Sequence, residues 1–394
     1  MMKNYKGIKI EIKPTIEQIE KINKTIGTGR FLYNFYIAYN KEIYEEEKRF
    51  VTGFEFSKYI NNVFIKENPD KSWIKDVSSK SNKQAIMNSE KAFKRFFNKI
   101  SSFPKFKKKS HNNQKCYFFK NNKTDFEFYR HKIKIPTLKF VRLKEYGYIP
   151  KNTNIKSATI SKEGDRYFLS LILEIKKEIE KNSIQKNLQT KEGIGIDLGI
   201  KDFAICSDGQ VFKNINKTFK VRKIEKKLKR EQRKKSRKYL SCKKMEKNLY
   251  ECKNFQKQKL VIAKLFFKLN CIRNDYINKV INMLTKTKLK YITIEDLKVS
   301  NMIKNRHLSK TISQQKFYEF RTKLLNKCKE KNIELRIVST FYPSSKLCSN
   351  CGHKKQDLKL KDRIYKCCDC GLEIDRDYNA SLNLRNSTQY TILT

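Results

Sequence analysis

Four cysteines and three carboxylates are the residues in this sequence whose types and spacing could do chemistry. Cys348-Ser-Asn-Cys351 and, fifteen residues later, Cys367-Cys-Asp-Cys370 form a C-x2-C-x15-C-x2-C pattern in which Cys368 is the spare. Two tight turns that each offer two thiolates supply what a tetrahedral Zn2+ needs at about 2.3 Å. Gly352 and Gly371 follow the pairs, where a chain folded around a metal benefits from a missing Cβ. Four closed ligands make a structural site, so one Zn2+ is expected to fold a ribbon at about residues 343–373 rather than run a reaction. Cys368 or His353 could displace one ligand, and four ordinary reduced cysteines are the bland alternative.

The carboxylates lie in a different texture. Gly193-Ile-Gly-Ile-Asp197-Leu-Gly199 puts an acid in a strand otherwise too apolar to tolerate one, and a buried charge without a metal or cation is costly. Ile292-Thr-Ile-Glu295-Asp296-Leu297 repeats the pattern, and Asp375-Arg-Asp377-Tyr-Asn379 supplies a third cluster just after the cysteines. Acids carried from strand ends into one cleft suit two Mg2+ ions, hard cations that can bracket the attacking water and the leaving oxygen of a phosphodiester. The only histidines are at 111, 131, 307 and 353, so carboxylates must carry any hydrolysis. Each acid alone reads equally well as a turn or cap residue, and spacing does not establish that they converge.

With 90 Lys and Arg against 40 Asp and Glu in 394 residues, the chain carries a formal charge of +50 and calls for a polyanionic partner. The charge is densest in Arg222, Lys223, Lys226, Lys227, Lys229, Arg230, Arg233, Lys234, Lys235, Arg237 and Lys238, opposed only by Glu225 and Glu231. As a helix this block is basic on nearly every face, with Ile224 and Leu228 its only apolar stripe. A solvated helix is the bland reading; self-repulsion favours contact with a phosphate backbone, which gives affinity without sequence information. Hydrophobic residues at 38% and aromatics at 12% suffice for packed cores and exclude wholesale disorder. No apolar run approaches the ~18 residues of a membrane span and the first residues lack a signal segment, so a soluble, cytoplasmic protein is expected. Eleven cysteines, five of them between Cys348 and Cys370, fit metal binding in a reducing compartment better than disulfides.

The elements that must position these groups follow from periodicity. Thr15 with Gln18 forms a capping box that starts a helix carrying Ile16, Ile19, Ile22 and Ile26; Gly27 and Gly29 are expected to end it before a second helix, Arg30 to Glu45. Another amphipathic stretch near 82–100 groups Ile86, Phe93, Phe97 and Ile100. Short β-prone runs then begin, and Ile155–Ile160 with Tyr167–Ile175 reads as a hairpin through Gly164. The strand-like Gly7–Ile12 could complete a small barrel or sandwich there. Phe and Tyr between lysines, as at Tyr117-Phe-Phe-Lys120, are better barrel core than base-stacking platforms, and the lone Trp73 is better packed than capping a groove. The polar stretch Lys177–Lys191 is a candidate linker. Beyond it, strands at 194–205, 291–294 and 334–338 alternate with helices, which argues an α/β domain.

Read together, these residues resemble the transposon-encoded OrfB/TnpB family. The likeness rests on GIDLGIKDFAICSDG (195–209), ITIEDL (292–297), FYPSSKLCSNCG (341–352) and CCDCGLEIDRDYNAS (367–381), with KIEIKPTIEQIEKI, GRFLYNFYIAYN and FPKFKKK upstream. The resemblance implies a multidomain α+β protein. Residues 1–12 would give the first strand of a wedge-type β-barrel, 13–100 a helical recognition lobe and 101–180 the rest of the barrel. Residues 181–394 would form a RuvC domain of RNase H fold with an inserted zinc ribbon. It also implies an RNA-guided DNA endonuclease, related to miniature type V CRISPR effectors, whose partners are a guide RNA and a double-stranded DNA target with a short flanking motif. Asp197 matches the first RuvC acid, Glu295 the second and Asp377 the third, with Asp375 the fallback; Cys348, Cys351, Cys367 and Cys370 match the ribbon cysteines. Cys368 and Asn278, which stands where relatives often have His, depart from the family pattern. Alternatives are a CRISPR effector of the same fold, a nuclease-inactive RNA-guided repressor, and a zinc-ribbon RNA-binding protein.

Overall fold

The computed structural model describes residues 4–109, 115–119, 125–151, 153–175, 192–287, 289–359 and 361–393. The candidate linker Lys177–Lys191 lies outside them. The chain forms two compact units, Met1–Asn182 and Ser183–Thr394. Among the described residues no helix is long and apolar enough to cross a membrane.

In the first unit, β1 (Asn4–Lys13) leads into α1 (Ile16–Glu47), α2 (Gly53–Tyr59), α3 (Ile65–Glu67) and α4 (Ser79–Phe97). The chain then makes β2 (Lys115–Phe119), β3 (Lys132–Ile135), β4 (Lys139–Leu143), β5 (Asn154–Glu163) and β6 (Arg166–Ile175). All six strands pair antiparallel in the order β2-β5-β6-β1-β4-β3, so the first segment of the chain sits inside the sheet. The β5–β6 hairpin closes from Glu163 to Arg166 around Gly164, whose φ is +67°. Phe118 and Phe126 lie in the core of this sheet.

The expected break at Gly27 and Gly29 does not occur. α1 is one helix of 32 residues, started by the Thr15/Gln18 capping box. Its early turns bury Ile22 and Ile26 in the core of the sheet, and its later turns bury Leu32, Tyr36 and Ile37 in an aromatic core with Phe56 and Phe93. Each buried side chain of this size stabilises by roughly 1.5–3 kcal/mol, against about 1 kcal/mol lost per helical glycine. In α4, Ile86 and Phe93 are buried as expected, while Phe97 at its end and Ile100 beyond it are exposed.

The second unit is built on β7 (Ile194–Leu198), β8 (Asp202–Cys206) and β9 (Val211–Lys213), then α5 (Phe219–Lys244) and α6 (Lys253–Leu284). There follow β10 (Tyr291–Glu295), α7 (Val299–Met302), α8 (Ser309–Gln315), α9 (Phe317–Lys331) and β11 (Glu334–Val338). Last come β12 (Ile364–Lys366), β13 (Glu373–Asp375), α10 (Arg376–Asn386) and β14 (Thr391–Ile392). The main sheet runs β14-β11-β10-β7-β8-β9, with β10 parallel to both β7 and β11.

Alternation assigns the two faces of β7. Ile194 and Ile196 join the apolar core under α6 and α9, whereas Gly193, Gly195 and Asp197 face the other way. A Cβ on Gly195 would stand 2.1 Å from the Ser381 carbonyl oxygen and 2.4 Å from the Arg385 amide nitrogen, so the backbone of α10 presses directly on this strand. Gly195→Ala is therefore expected to cost about 1–3 kcal/mol in denaturant unfolding. Gly27→Ala, where nothing lies within 4 Å of the new Cβ, should instead stabilise by roughly 0.5–1 kcal/mol. Equal effects of the two would refute both assignments.

Candidate active site and metal centre

Asp197 and Glu295 end adjacent parallel strands. The β7–β10 register pairs Ile196 with Ile294, so each acid is the next residue on its own strand and both project to the face that carries α10. α10 sets the third carboxylate. From Ser381, in contact with Gly195, back to Asp377 is about one helical turn, and from Gly195 to Asp197 is two strand residues; both are steps of about 6 Å. The first turn of α10 thus arrives over the end of β7.

The electrostatics report this convergence. The Asp197 carboxyl is held well above the ordinary range, first by burial, then by the negative charges of Glu295 and Asp377, with Asp375 a smaller contributor and Arg376 opposing. Burial likewise raises Glu295, partly offset by a hydrogen bond donated by the Ser344 hydroxyl. Its neighbour Asp296 is used differently. Lys298 and Arg321 donate to its two oxygens at 2.5 Å and hold it below the usual carboxylate range.

Asp375 and Asp377 also divide their work. Asp375 is the N-cap of α10, its Oδ1 accepting the amides of Asp377 and Tyr378 at 3.0 Å each. Asp377 makes looser ion pairs with Arg376 at 3.4 Å and Arg363 at 3.7 Å. The oxygens of Asp197, Glu295 and Asp377 do not all lie within 4.8 Å of one another; among the described residues, two other groups meet that test.

Sequence reasoning missed the residues that brace this arrangement. Asn379 and Asn383, one turn apart on α10 and both buried, hold the segment entering the cysteine cluster. Asn379 donates to the Leu347 carbonyl at 2.6 Å and accepts from the Ser349 amide at 3.0 Å; Asn383 donates to the Ser344 and Leu347 carbonyls at 2.8 and 2.7 Å. The i, i+4 spacing of two asparagines was the available signal. The same segment carries Ser344 to Glu295 and Cys348 to the cluster.

Cys348, Cys351, Cys367 and Cys370 bring their sulfurs within 4.8 Å of one another, with Cys348–Cys370 and Cys351–Cys367 both at 3.5 Å. Gly352 and Gly371 adopt φ of +76° and +68° at the two turns. Hydrogen bonds from the Asn350 side chain and the Leu372 amide lower the Cys370 thiol to about 6. This donor set fits a tetrahedral soft cation. Cys368 stands outside it, exposed, against His353.

The basic block forms α5. Its stripe is Val221, Ile224 and Leu228, buried against Ile262 and Leu269 of α6. Both opposing acids turn inward: Glu225 accepts from Arg273 at 2.9 Å and Gln314 at 2.7 Å, and Glu231 from Gln258 at 2.7 Å and Lys234 at 3.0 Å. Arg222, Lys223, Lys226, Lys227, Lys229, Arg230, Arg233, Lys234 and Arg237 are exposed, while Lys235 and Lys238 are half-buried. Lys238 donates to Gln258 at 3.1 Å. The apolar stripe expected at Ile224 and Leu228 is present and extends to Val221. In the first unit Trp73 packs edge-on to Phe31 at 5.2 Å and still lines an open cavity of about 950 Å³ with Phe106 and Lys107.

Comparison with known proteins agrees with this sequence order. A helix-turn-helix domain model of OrfB proteins matches residues 1–49, an OrfB model described as "Probable transposase" matches 173–306, and a "Cas12f1-like, TNB domain" model matches 317–384. By the first two of these models the chain is similar to OrfB proteins. It is 28% identical to a protein of Escherichia coli K12 named "Putative RNA-guided DNA endonuclease InsQ", over 97% of this chain and 92% of that one. It is 27% identical to a "Putative RNA-guided DNA endonuclease" of Streptomyces pristinaespiralis, over 98% and 90%. A 109-residue stretch is 29% identical to the "CRISPR-associated endodeoxyribonuclease Cas12f1" of Sulfoacidibacillus thermotolerans, 28% of this chain and 25% of that one.

A raised native carboxyl has a definite consequence for stability. Because Asp197 binds its proton more tightly when folded, its ionisation opposes folding as pH rises through the ordinary Asp value, and the cost is complete above the native one. In EDTA at pH 7, Asp197→Asn is expected to stabilise the protein by about 0.5–2 kcal/mol, the scale of relief at a destabilised site. The gain should fade in acid, below about pH 4. Urea unfolding at the two pH values measures it, and no gain at pH 7 would contradict the crowding of charge.

Proposed function

We propose that this protein is an RNA-guided DNA endonuclease that hydrolyses DNA phosphodiesters at Asp197, Glu295 and Asp377. The observation that carries the reading is the approach of these acids from β7, β10 and α10 at one end of the sheet, where Asp197 is destabilised first by burial and then by the charges of Glu295 and Asp377. A donor set of three hard oxygens fits Mg2+, and Asp375 is the weaker candidate because its Oδ1 caps α10. Two Mg2+ ions held there would relieve the repulsion, activate water and stabilise the departing 3′ oxygen.

The chain's own residues prepare that chemistry. Ser344 orients the Glu295 carboxylate, the Gly195 contact fixes the height of α10 over β7, and Arg363 and Arg376 pair with the Asp377 carboxylate. No histidine base is required. The four cysteines form a structural ribbon about one Zn2+ near residues 343–373, anchored to α10 by Asn379 and Asn383. In this reading residues 13–100 are the helical recognition lobe, 1–12 and 101–180 the wedge barrel, and 181–394 the RuvC-like nuclease domain. Guide RNA pairs with one strand of a duplex target beside a short flanking motif, and the exposed cations of α5 contact backbone phosphate.

Protein purified with its bound RNA is expected to cut a plasmid carrying the complementary sequence in Mg2+ and not in EDTA. Asp197→Ala should lower cleavage roughly a hundredfold or more while keeping the RNA. Cleavage by Asp197→Ala at the native rate would remove the assignment. Cys351→Ser should lose one tightly held zinc per chain and melt at lower temperature, read by metal analysis and thermal unfolding; unchanged zinc would refute the ribbon.

A further inference from the structure

A second group of ligand atoms lies beside the four-cysteine cluster. His353, Cys368 and Asp369 each place one within 4.8 Å of the others. The Cys368 sulfur is 3.3 Å from His353 Nε2, and Asp369 Oδ2 accepts from His353 Nδ1 at 2.7 Å. The order is sulfur, imidazole, carboxylate.

Both halves of this pair are positioned by the two cysteine turns. The His353 carbonyl accepts the Cys348 amide at 2.8 Å and the Tyr365 hydroxyl at 3.2 Å, which fixes its backbone to the first turn. Cys368 directly follows Cys367 in the second. Cys367 is buried, so its neighbour turns outward, and Cys368 is exposed on the side where His353 stands.

The geometry points to a second, exchangeable site for a soft divalent cation, with Zn2+ as the reference ion, held by Cys368 Sγ and His353 Nε2. Ligand distances of about 2.3 Å to sulfur and 2.0–2.1 Å to nitrogen at a tetrahedral angle separate the two donors by about 3.5 Å, close to the 3.3 Å observed. Asp369 completes a carboxylate–histidine–metal arrangement. By accepting the Nδ1 proton it leaves the Nε2 lone pair facing Cys368. Two protein ligands leave two positions for water, so this ion exchanges with solvent while the ion in the closed four-cysteine set does not. The site draws on neither the acids nor the nuclease reading.

The full-length protein, dialysed against ZnCl2 and freed of unbound metal, is titrated with a chromogenic chelator and its total zinc measured. Two equivalents per chain are expected, one released quickly and one slowly. Cys368→Ser, an exposed position, should hold the slow equivalent alone. Asp369→Asn should keep both but weaken the fast one 10- to 100-fold. Absence of the fast equivalent from the native chain, or a fast equivalent that survives Cys368→Ser, overturns the proposal. Absence of the slow equivalent would instead count against the four-cysteine ribbon, so the two readings fail separately.

Discussion

The second unit is organised around one close approach, the backbone of α10 laid on a strand residue that has no side chain. With Gly195 on β7, the Ser381 carbonyl and Arg385 amide come nearer than any Cβ would permit. That spacing brings the first turn of α10, and with it Asp377, to the end of β7. It also lets Asn379 and Asn383 reach the segment between β11 and the cysteines. Carboxylate crowding and the anchoring of the ribbon are two results of the same contact, one electrostatic and one steric.

The chain tolerates the electrostatic cost because its other charges are managed locally. Asp296, beside Glu295, is satisfied by Lys298 and Arg321. Asp375 spends its oxygen on two helix amides, and Glu225 and Glu231 are drawn inward from a helix whose cations face solvent. Asp197 has the largest unrelieved conflict among these acids, raised by burial and by neighbours of like sign. Buried polar groups are ordinarily paired; Asp197 is held against that tendency.

Much of this was legible in the chain. The alternation Gly-Ile-Gly-Ile-Asp announces a strand with one apolar face and one face that accepts close approach, and the cysteine spacing announces two turns meeting at a metal. The Thr15/Gln18 capping box is present as read. What could not be read depends on long-range packing. Gly27 and Gly29 looked like a break because local propensity is visible in sequence, whereas burial of Ile26 in one core and Leu32 in another is not. The burial of Asn379, Asn383 and Ser344 was not legible, since a polar side chain betrays its burial only through partners distant in the chain. Asp377 was the preferred third acid and Asp375 the fallback, and the cap geometry gives Asp375 a role of its own at the start of α10.

The placement of the acids on β7, β10 and α10 has a consequence for assembly. Asp197 and Glu295 are separated by 98 positions and Glu295 and Asp377 by 82, and the strands bearing the first two are joined by parallel pairing that no local hairpin can form. Nascent or partly unfolded chains therefore hold these carboxylates far apart as solitary, harmless anions. Whatever reaction the completed constellation performs is withheld until the tertiary fold is finished, a safeguard written into topology rather than into any inhibitor.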